Sequence, residues 1–212
     1  MPRFSVPARS VTFLGIAAGV MALGAVLGVL YVILSGPVHA VDQVPPALAK
    51  LIPAKAPRSV PAVAFSDATG KRHLLSEFKG RYVLLNLWAT WCNPCVRELP
   101  ALAGLQAAVP PDRLKIVAVN VGRSNAGETA AFLRAHGAEA LSVYLDTNVA
   151  MVRAFRAYGL PLSVLIDPQG REVARGFGGA NWDTASAIAY FKALPMPGPA
   201  PARAAKPARA GS

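Results

Sequence analysis

Two short apolar runs, Tyr82–Trp88 (YVLLNLW) and Leu114–Val121 (LKIVAVNV), constrain the fold more than any other feature of the chain. Each has the length of one strand and is apolar at positions facing both sides of a pleat, so each needs cover on two faces. Strands of that kind belong to a parallel sheet held between helices. The intervening pattern supplies the helices: Pro94–Val109, with a kink expected near Pro100, Gly127–His136 ending at Gly137, and Val149–Tyr158 ending at Gly159. Leu141–Leu145 reads as a further strand. Leu162–Asp167 and Glu172–Gly176 form a strand pair about the turn Pro168-Gln169-Gly170, and Asn181 is placed to cap a last helix running to Ala193. Ahead of the first run, Ala62–Phe65 and Arg72–Leu74 flank the turn signal Asp67-Ala68-Thr69-Gly70, an N-terminal β-hairpin. Strands alternating with helices imply an α/β domain; the hairpins make its central sheet mixed. The chain shows no internal repeat.

The chain has two cysteines, in the sequence Trp91-Cys92-Asn93-Pro94-Cys95. Three kinds of chemistry use such a pair. A structural disulfide closing so short a loop would remove little entropy from the unfolded chain. A structural zinc site needs about four Cys or His ligands. The three histidines, His39, His73 and His136, lie in unrelated segments and read as surface or linker residues. A redox pair accounts for placement as well as identity. Cys92 follows a buried strand and stands at the start of a helix, where backbone N–H groups and the helix dipole stabilise a thiolate. Pro94 suits a first helical turn. Cys95, one turn further in, is the shielded partner that would resolve a mixed disulfide formed by Cys92.

Gly159-Leu160-Pro161 precedes the strand Leu162–Asp167. It reads either as a stop after a helix or as a cis-proline loop packed against the cysteines, with the Leu160 backbone free to pair with an extended substrate chain.

The ends of the chain are of another character. Val11–Leu34 carries no charge, and as a helix it would extend about 36 Å, enough to cross a hydrocarbon core. Arg3 and Arg9 precede it, so residues 1–10 are expected in the cytoplasm and everything after the span outside it. The alternative is a cleaved signal ending near Val38-His39-Ala40, but signal cores run only about 7–15 residues. Both place the domain outside the cytoplasm. Residues 35–61 contain six prolines between Pro37 and Pro61 and read as a semi-extended tether, with one helical turn within Val44–Ile52. Residues 195–212 offer almost nothing to bury and read as a disordered tail. Between Ala62 and Leu194, 14 Lys/Arg stand against 10 Asp/Glu, so most of the chain's net +11 is peripheral. Without a basic face interleaved with aromatics, nucleic-acid binding is not expected.

The segment Leu87–Pro100 (LWATWCNPCVRELP) resembles the active-site signature of the TlpA-like/ResA-like thioredoxins, membrane-tethered thiol–disulfide oxidoreductases of bacterial periplasms or outer cell surfaces. The resemblance covers roughly Pro61–Ala193, including FSDATGKRHLLSEFKG and GLPLSVLIDPQG, with the TlpA branch nearer than the cytochrome c maturation branch. It implies a thioredoxin fold over residues 62–194, preceded by one transmembrane helix, residues 11–34, in the bacterial inner membrane. It also implies that Cys92 is the attacking thiol, Cys95 the resolving thiol and Pro161 the cis-proline. Glu98, three residues after Cys95, matches the family's CxxE pattern and reads either as a group near the active site that affects cysteine titration or as a helix-surface carboxylate paired with an arginine. Asn86 stands where thioredoxins of the general type carry a buried aspartate, and a neutral amide cannot shuttle a proton. Leu162 stands where threonine is frequent.

The resemblance implies a periplasmic reductase whose only redox group is the Cys92–Cys95 pair, with no cofactor or metal. Its substrates would be protein disulfides in cytochrome oxidase copper-site assembly or cytochrome c maturation, and its electrons would come from a membrane donor of the CcdA/DsbD type. An oxidase or isomerase, and a Cu(I)-carrying metallochaperone using both thiolates, are the alternatives. Pro94 as the residue before the second cysteine favours the reductant.

Overall fold

The computed structural model describes Val41 and residues 43–196. The expected membrane span 11–34, the arm before it, residues 35–40 of the tether and residues 197–212 of the tail lie outside the described residues. Among the described residues no helix is long and apolar enough to cross a membrane.

The two apolar runs are the central strands, β4 (Tyr82–Trp88) and β5 (Leu114–Val121), paired in parallel with Leu84 opposite Ile116 and Leu87 opposite Val119. All seven residues of β4 are buried, so both of its faces are covered. The sheet has eight strands in the order β1-β8-β7-β4-β5-β6-β2-β3, the remaining strands being β1 (Ile52–Ser59), β2 (Ala64–Asp67), β3 (Arg72–Leu74), β6 (Tyr144–Asp146), β7 (Leu162–Ile166) and β8 (Arg171–Phe177). β4, β5 and β6 run parallel; β7 and β8 lie antiparallel on one side, and β2 and β3 on the other. This is an α/β domain with a mixed sheet and a thioredoxin fold.

Among the described residues four α-helices complete it: α1 (Asn93–Ala108), α2 (Ala126–Ala135), α3 (Ala150–Ala154) and α4 (Ala185–Ala193). Pro100 sits inside α1 without ending it. Asn125 and Glu128 exchange hydrogen bonds as a capping box on α2. The Asp146 carboxylate caps α3 by accepting from Ala150 and Met151 at 2.9 and 2.8 Å. That helix is shorter than its pattern suggests, because Arg156 takes a left-handed conformation, φ 53°. Strand β6 starts three residues later than expected, since Ala138–Leu141 is occupied by a turn, Leu141 N–H donating to Ala138. Thr184, not Asn181, caps α4, its hydroxyl accepting from Ala187 N–H at 3.2 Å. The Asn181 N–H is directed instead to the carbonyl of Ala47.

The largest departure from the sequence reading is the tether. From Pro46 onward it is part of the domain: a turn at Pro46–Leu48 buries Leu48 and Leu51, and Ile52–Ser59 pairs with β8 as an edge strand. Repeated prolines exclude a central strand, but an edge strand tolerates Pro53 and Pro57, the register shifting between Pro53 and Arg58. The segment crosses β8 at Gly176, where a Cβ would overlap the carbonyl of Lys50. At the other end, the Tyr82 hydroxyl donates to Pro195 O and Met196 packs against the core, so the tail starts after them. Arg113 joins this end to β5 by donating to the carbonyls of Lys192 and Leu194 at 2.6 and 2.8 Å.

Nor is His73 a free surface residue. Its Nε2 lies 3.0 Å from Asp67 Oδ2 and its Nδ1 2.9 Å from Glu77 Oε2, with the Tyr144 ring edge-on to it.

Candidate active site

Strand β4 ends at Trp88 and α1 begins at Asn93, so the cysteines sit where the central strand turns into a helix. Cys92 is the N-cap of α1 and Cys95 lies in its first turn; the Cys92 sulfur accepts from Cys95 N–H at 3.4 Å. The two are joined by a disulfide. Cys95 is wholly buried, while Cys92 retains 5% exposure beside Trp91, which is 73% exposed. An N-cap position points the first backbone N–H groups at the sulfur, which favours its charged form once the disulfide is opened.

The Leu160–Pro161 peptide bond is cis. Leu162 pairs with Leu87 in the sheet, so Pro161 stands next to the end of β4 that leads to Cys92. The Pro161 carbonyl accepts from Gly178 N–H at 2.9 Å, tying this turn to the loop after β8. That loop in turn reaches α1: a Cβ on Gly179 would lie 3.4 Å from Pro94 O and 3.6 Å from Glu98 Oε2.

Glu98 is buried and has no arginine partner among the described residues, which corrects the alternative that made it a helix-surface carboxylate. Its Oε1 accepts from Asn86 Nδ2 at 2.8 Å, and its Oε2 from Ala180 N–H at 3.0 Å and Trp182 Nε1 at 2.8 Å. Burial pushes its pKa up, against the three hydrogen bonds and the nearby Lys50 charge, which favour the carboxylate. Glu98 lies one helical turn beyond Cys95, on the same side of α1. Cys92, Cys95, Pro161 and Glu98 are thus gathered around the β4–α1 junction. Asn86, Ser163, Ala180 and Trp182 complete the surroundings of Glu98; apart from the amide at Asn86, nothing in their local sequence marks them.

Residues 56–197 match the AhpC/TSA family. The chain belongs to that family. This AhpC/TSA domain is similar to thiol-disulfide oxidoreductase ResA of Bacillus subtilis (strain 168), 38% identical over 113 residues, which are 53% of this chain and 62% of ResA. It is also similar to the thioredoxin-like protein YneN of the same organism, 35% identical over 114 residues, 53% of this chain and 54% of YneN. Among solved structures, a Chlorobium tepidum protein described as a thiol:disulfide interchange protein DsbE aligns with a TM-score of 0.55 at 29% identity, over 64% of this chain and 96% of that one. The match covers 62–64% of the length of the Bacillus subtilis and Geobacillus ResA proteins, just under two thirds.

Two clefts flank the cysteines of the AhpC/TSA domain. One, of about 720 Å³, lies beside Thr90 and Trp91 and is bounded by Arg123, Ser124 and Asn148 from the loops after β5 and β6. The other, of about 240 Å³, opens between α1 and the loop after β8, over Glu98. No group of three or more His, Cys, Asp or Glu side chains able to hold a metal ion occurs among the described residues.

Proposed function

We propose that the chain is a thiol–disulfide oxidoreductase acting as a reductase of protein disulfides outside the cytoplasm. The observation that carries this reading is the asymmetry of the pair: Cys92, the N-cap of α1, keeps 5% exposure beside the exposed Trp91, while Cys95 is fully buried in the first turn of the helix. Disulfide exchange needs one thiolate that a client can reach and a second thiol that only the mixed disulfide meets.

In the reduced state the Cys92 thiolate attacks one sulfur of a client disulfide. A Cys92–client disulfide forms, and the other client sulfur leaves as a thiolate and takes a proton from solvent. Cys95, deprotonated, then attacks the Cys92 sulfur. The Cys92–Cys95 bond forms and the second client sulfur leaves as a thiolate, which takes up the proton that Cys95 released. The client gains two electrons and two protons, and the cysteine pair is oxidised. Glu98, buried and one turn from Cys95, is the acid–base group placed to take up the Cys95 proton. The backbone of Leu160, preceding cis-Pro161, is where an extended client chain would lie.

The uncharged run Val11–Leu34, with Arg3 and Arg9 before it, supports an inner-membrane anchor with the domain in the periplasm. By the resemblance of LWATWCNPCVRELP to the TlpA-like/ResA-like signature, the clients would be proteins whose cysteines must be kept reduced, in cytochrome oxidase copper-site assembly or cytochrome c maturation. A membrane donor of the CcdA/DsbD type would restore the dithiol. The deciding experiment is the reduction potential of the pair by equilibration with dithiothreitol or glutathione. A value near or below about −270 mV is expected of a reductant; one near about −120 mV would make the chain an oxidant and reverse the transfer.

A further inference from the structure

Beside the cysteine pair lies a cleft with two cations, Lys50 and Arg97, that the exchange reaction does not use. It is lined by Lys50, Pro94, Arg97, Glu98, Ala180 and Asn181 and encloses about 240 Å³, a volume that admits a single side chain. We propose that this cleft is a subsite for an acidic side chain of the client polypeptide, near the disulfide being exchanged; the proposal rests on the thiol–disulfide reading above.

Position is the first argument. Pro94 lies between the two cysteines, and the opposite rim is the loop whose Gly178 N–H holds the Pro161 carbonyl. A client chain passing Leu160 with its sulfur at Cys92 therefore has this cleft alongside it. The second argument is shape. Gly179 keeps the cleft open, since a Cβ there would sit 3.4 Å from Pro94 O and 3.6 Å from the Glu98 carboxylate, within the space a ligand would take.

Charge decides the class of ligand. Lys50 and Arg97 are exposed, and neither forms a hydrogen bond or ion pair with another described residue. The one acid in the lining, Glu98, is buried, and both its oxygens are already engaged by Asn86, Ala180 and Trp182. What the cleft offers a ligand is two unpaired cations and the Asn181 side chain. Lys50 is brought there by the segment that crosses β8 at Gly176, a close approach that any side chain at 176 would block. An aspartate or glutamate fits this charge, and a lysine or arginine is repelled, so the cleft sorts clients by the residues flanking their cysteine.

The test uses the reduced full-length chain and synthetic disulfide peptides. The peptides are identical except for one residue, Glu, Gln or Lys, scanned through the positions flanking the cysteine. At low salt, the Glu peptide with the best position is expected to be reduced about fivefold faster than its Lys counterpart, the scale of two exposed ion pairs. That ratio should fall toward one at high salt, and also in the Lys50→Gln/Arg97→Gln double variant. Arg97→Lys should keep the preference, Arg97→Glu, whose charge cancels that of Lys50, should abolish it, and Lys50→Glu/Arg97→Glu should reverse it. Because each ratio compares two peptides on the same thiol, a change in Cys92 reactivity cancels. Equal rates for Glu and Lys peptides at every position, or a ratio unchanged in the double variant, would overturn the subsite and leave the reductase reading intact. Failure to reduce any of the peptides would overturn the reductase reading, and the subsite with it.

Discussion

Asn86 and Glu98 meet in the interior, the Asn86 side-chain amide donating to Glu98 Oε1 at 2.8 Å. One comes from the central strand and the other from the helix that carries both cysteines, so this bond joins the sheet to the redox helix. The same amide donates to the Ser163 hydroxyl at 3.0 Å, and its own Oδ1 has no partner among the described residues. An amide can serve either form of an acid. As oriented it donates to a carboxylate; turned by half a rotation, its oxygen would accept from a protonated carboxyl group. Asn86 thus allows Glu98 to hold or release a proton without leaving a charge unpaired, a task a second carboxylate at position 86 could not share at the same pH.

Burial raises the Glu98 pKa above the ordinary glutamate value of 4.5, so over the interval between those values the folded protein holds a proton that the unfolded chain has released. Stability must fall as pH rises through that interval, and below 4.5 both states are protonated and this slope vanishes. Urea unfolding of the oxidised protein, repeated at closely spaced pH, is expected to show the decline in the native protein and a flat profile over the same interval in Glu98→Gln. The same slope in both proteins would assign it to another group.

His73 predicts the opposite arrangement on the hairpin edge. The hydrogen bonds with Asp67 and Glu77 raise its pKa above 6.5, while the hydrogen bond with His73 lowers both carboxylates from their ordinary 3.8 and 4.5. A raised histidine stabilises fully below its unfolded pKa and ceases to do so as pH rises through its folded one. Lowered carboxylates stabilise above their unfolded pKa and lose that contribution as pH falls. The cluster is therefore strongest between the carboxylate and histidine ranges; Lys71 and the rings of Phe65 and Tyr144 also lie beside it. Thermal unfolding should show a Tm that drops on the alkaline side of the histidine range. In His73→Gln that drop should disappear; its persistence would remove His73 as the cause.

Much of this architecture was legible in the sequence, for reasons that differ by element. Strands β4 and β5 are uninterrupted apolar runs, and a residue pattern that demands cover on both faces has few solutions. The cysteine pair was legible because its spacing and its place between strand and helix are both local. Glu98 was ambiguous because it follows Arg97 on a helix, and the groups that bury and bind it lie 12, 82 and 84 residues away. The tether was misjudged from the same kind of distance: prolines exclude a central strand, but only the free edge of β8 makes Ile52–Ser59 an edge strand. Asn181 and Thr184 are both good caps, but the helix begins at Ala185, directly after Thr184 and too far along the chain for Asn181 to cap it.

The roles of the two cysteines separate in single variants. Cys92→Ser should lose exchange altogether, because no accessible thiol remains. Cys95→Ser keeps the accessible thiol and loses only the resolving step, so mixed disulfides with clients should accumulate, visible on non-reducing gels and removed by dithiothreitol. Trapping by Cys92→Ser instead would reverse the assignment and make the buried sulfur the nucleophile.

Docking of the segment before β1 can be read from stability alone. Leu48 is fully buried although it lies in a stretch of prolines and alanines, and Gly176 leaves room for the Lys50 carbonyl and no more. If this segment is part of the domain, Leu48→Ala should cost about 2–5 kcal/mol of unfolding free energy, as a buried leucine does. Gly176→Ala should cost about 1–3 kcal/mol by forcing two backbones apart. A flexible tether would predict changes within about 0.5 kcal/mol for Leu48→Ala, the range of an exposed position. Because Lys50 lies between these two contacts, displacing the segment should also weaken the preference for acidic peptides. A Leu48→Ala protein that keeps both its stability and that preference would show that the segment is not docked.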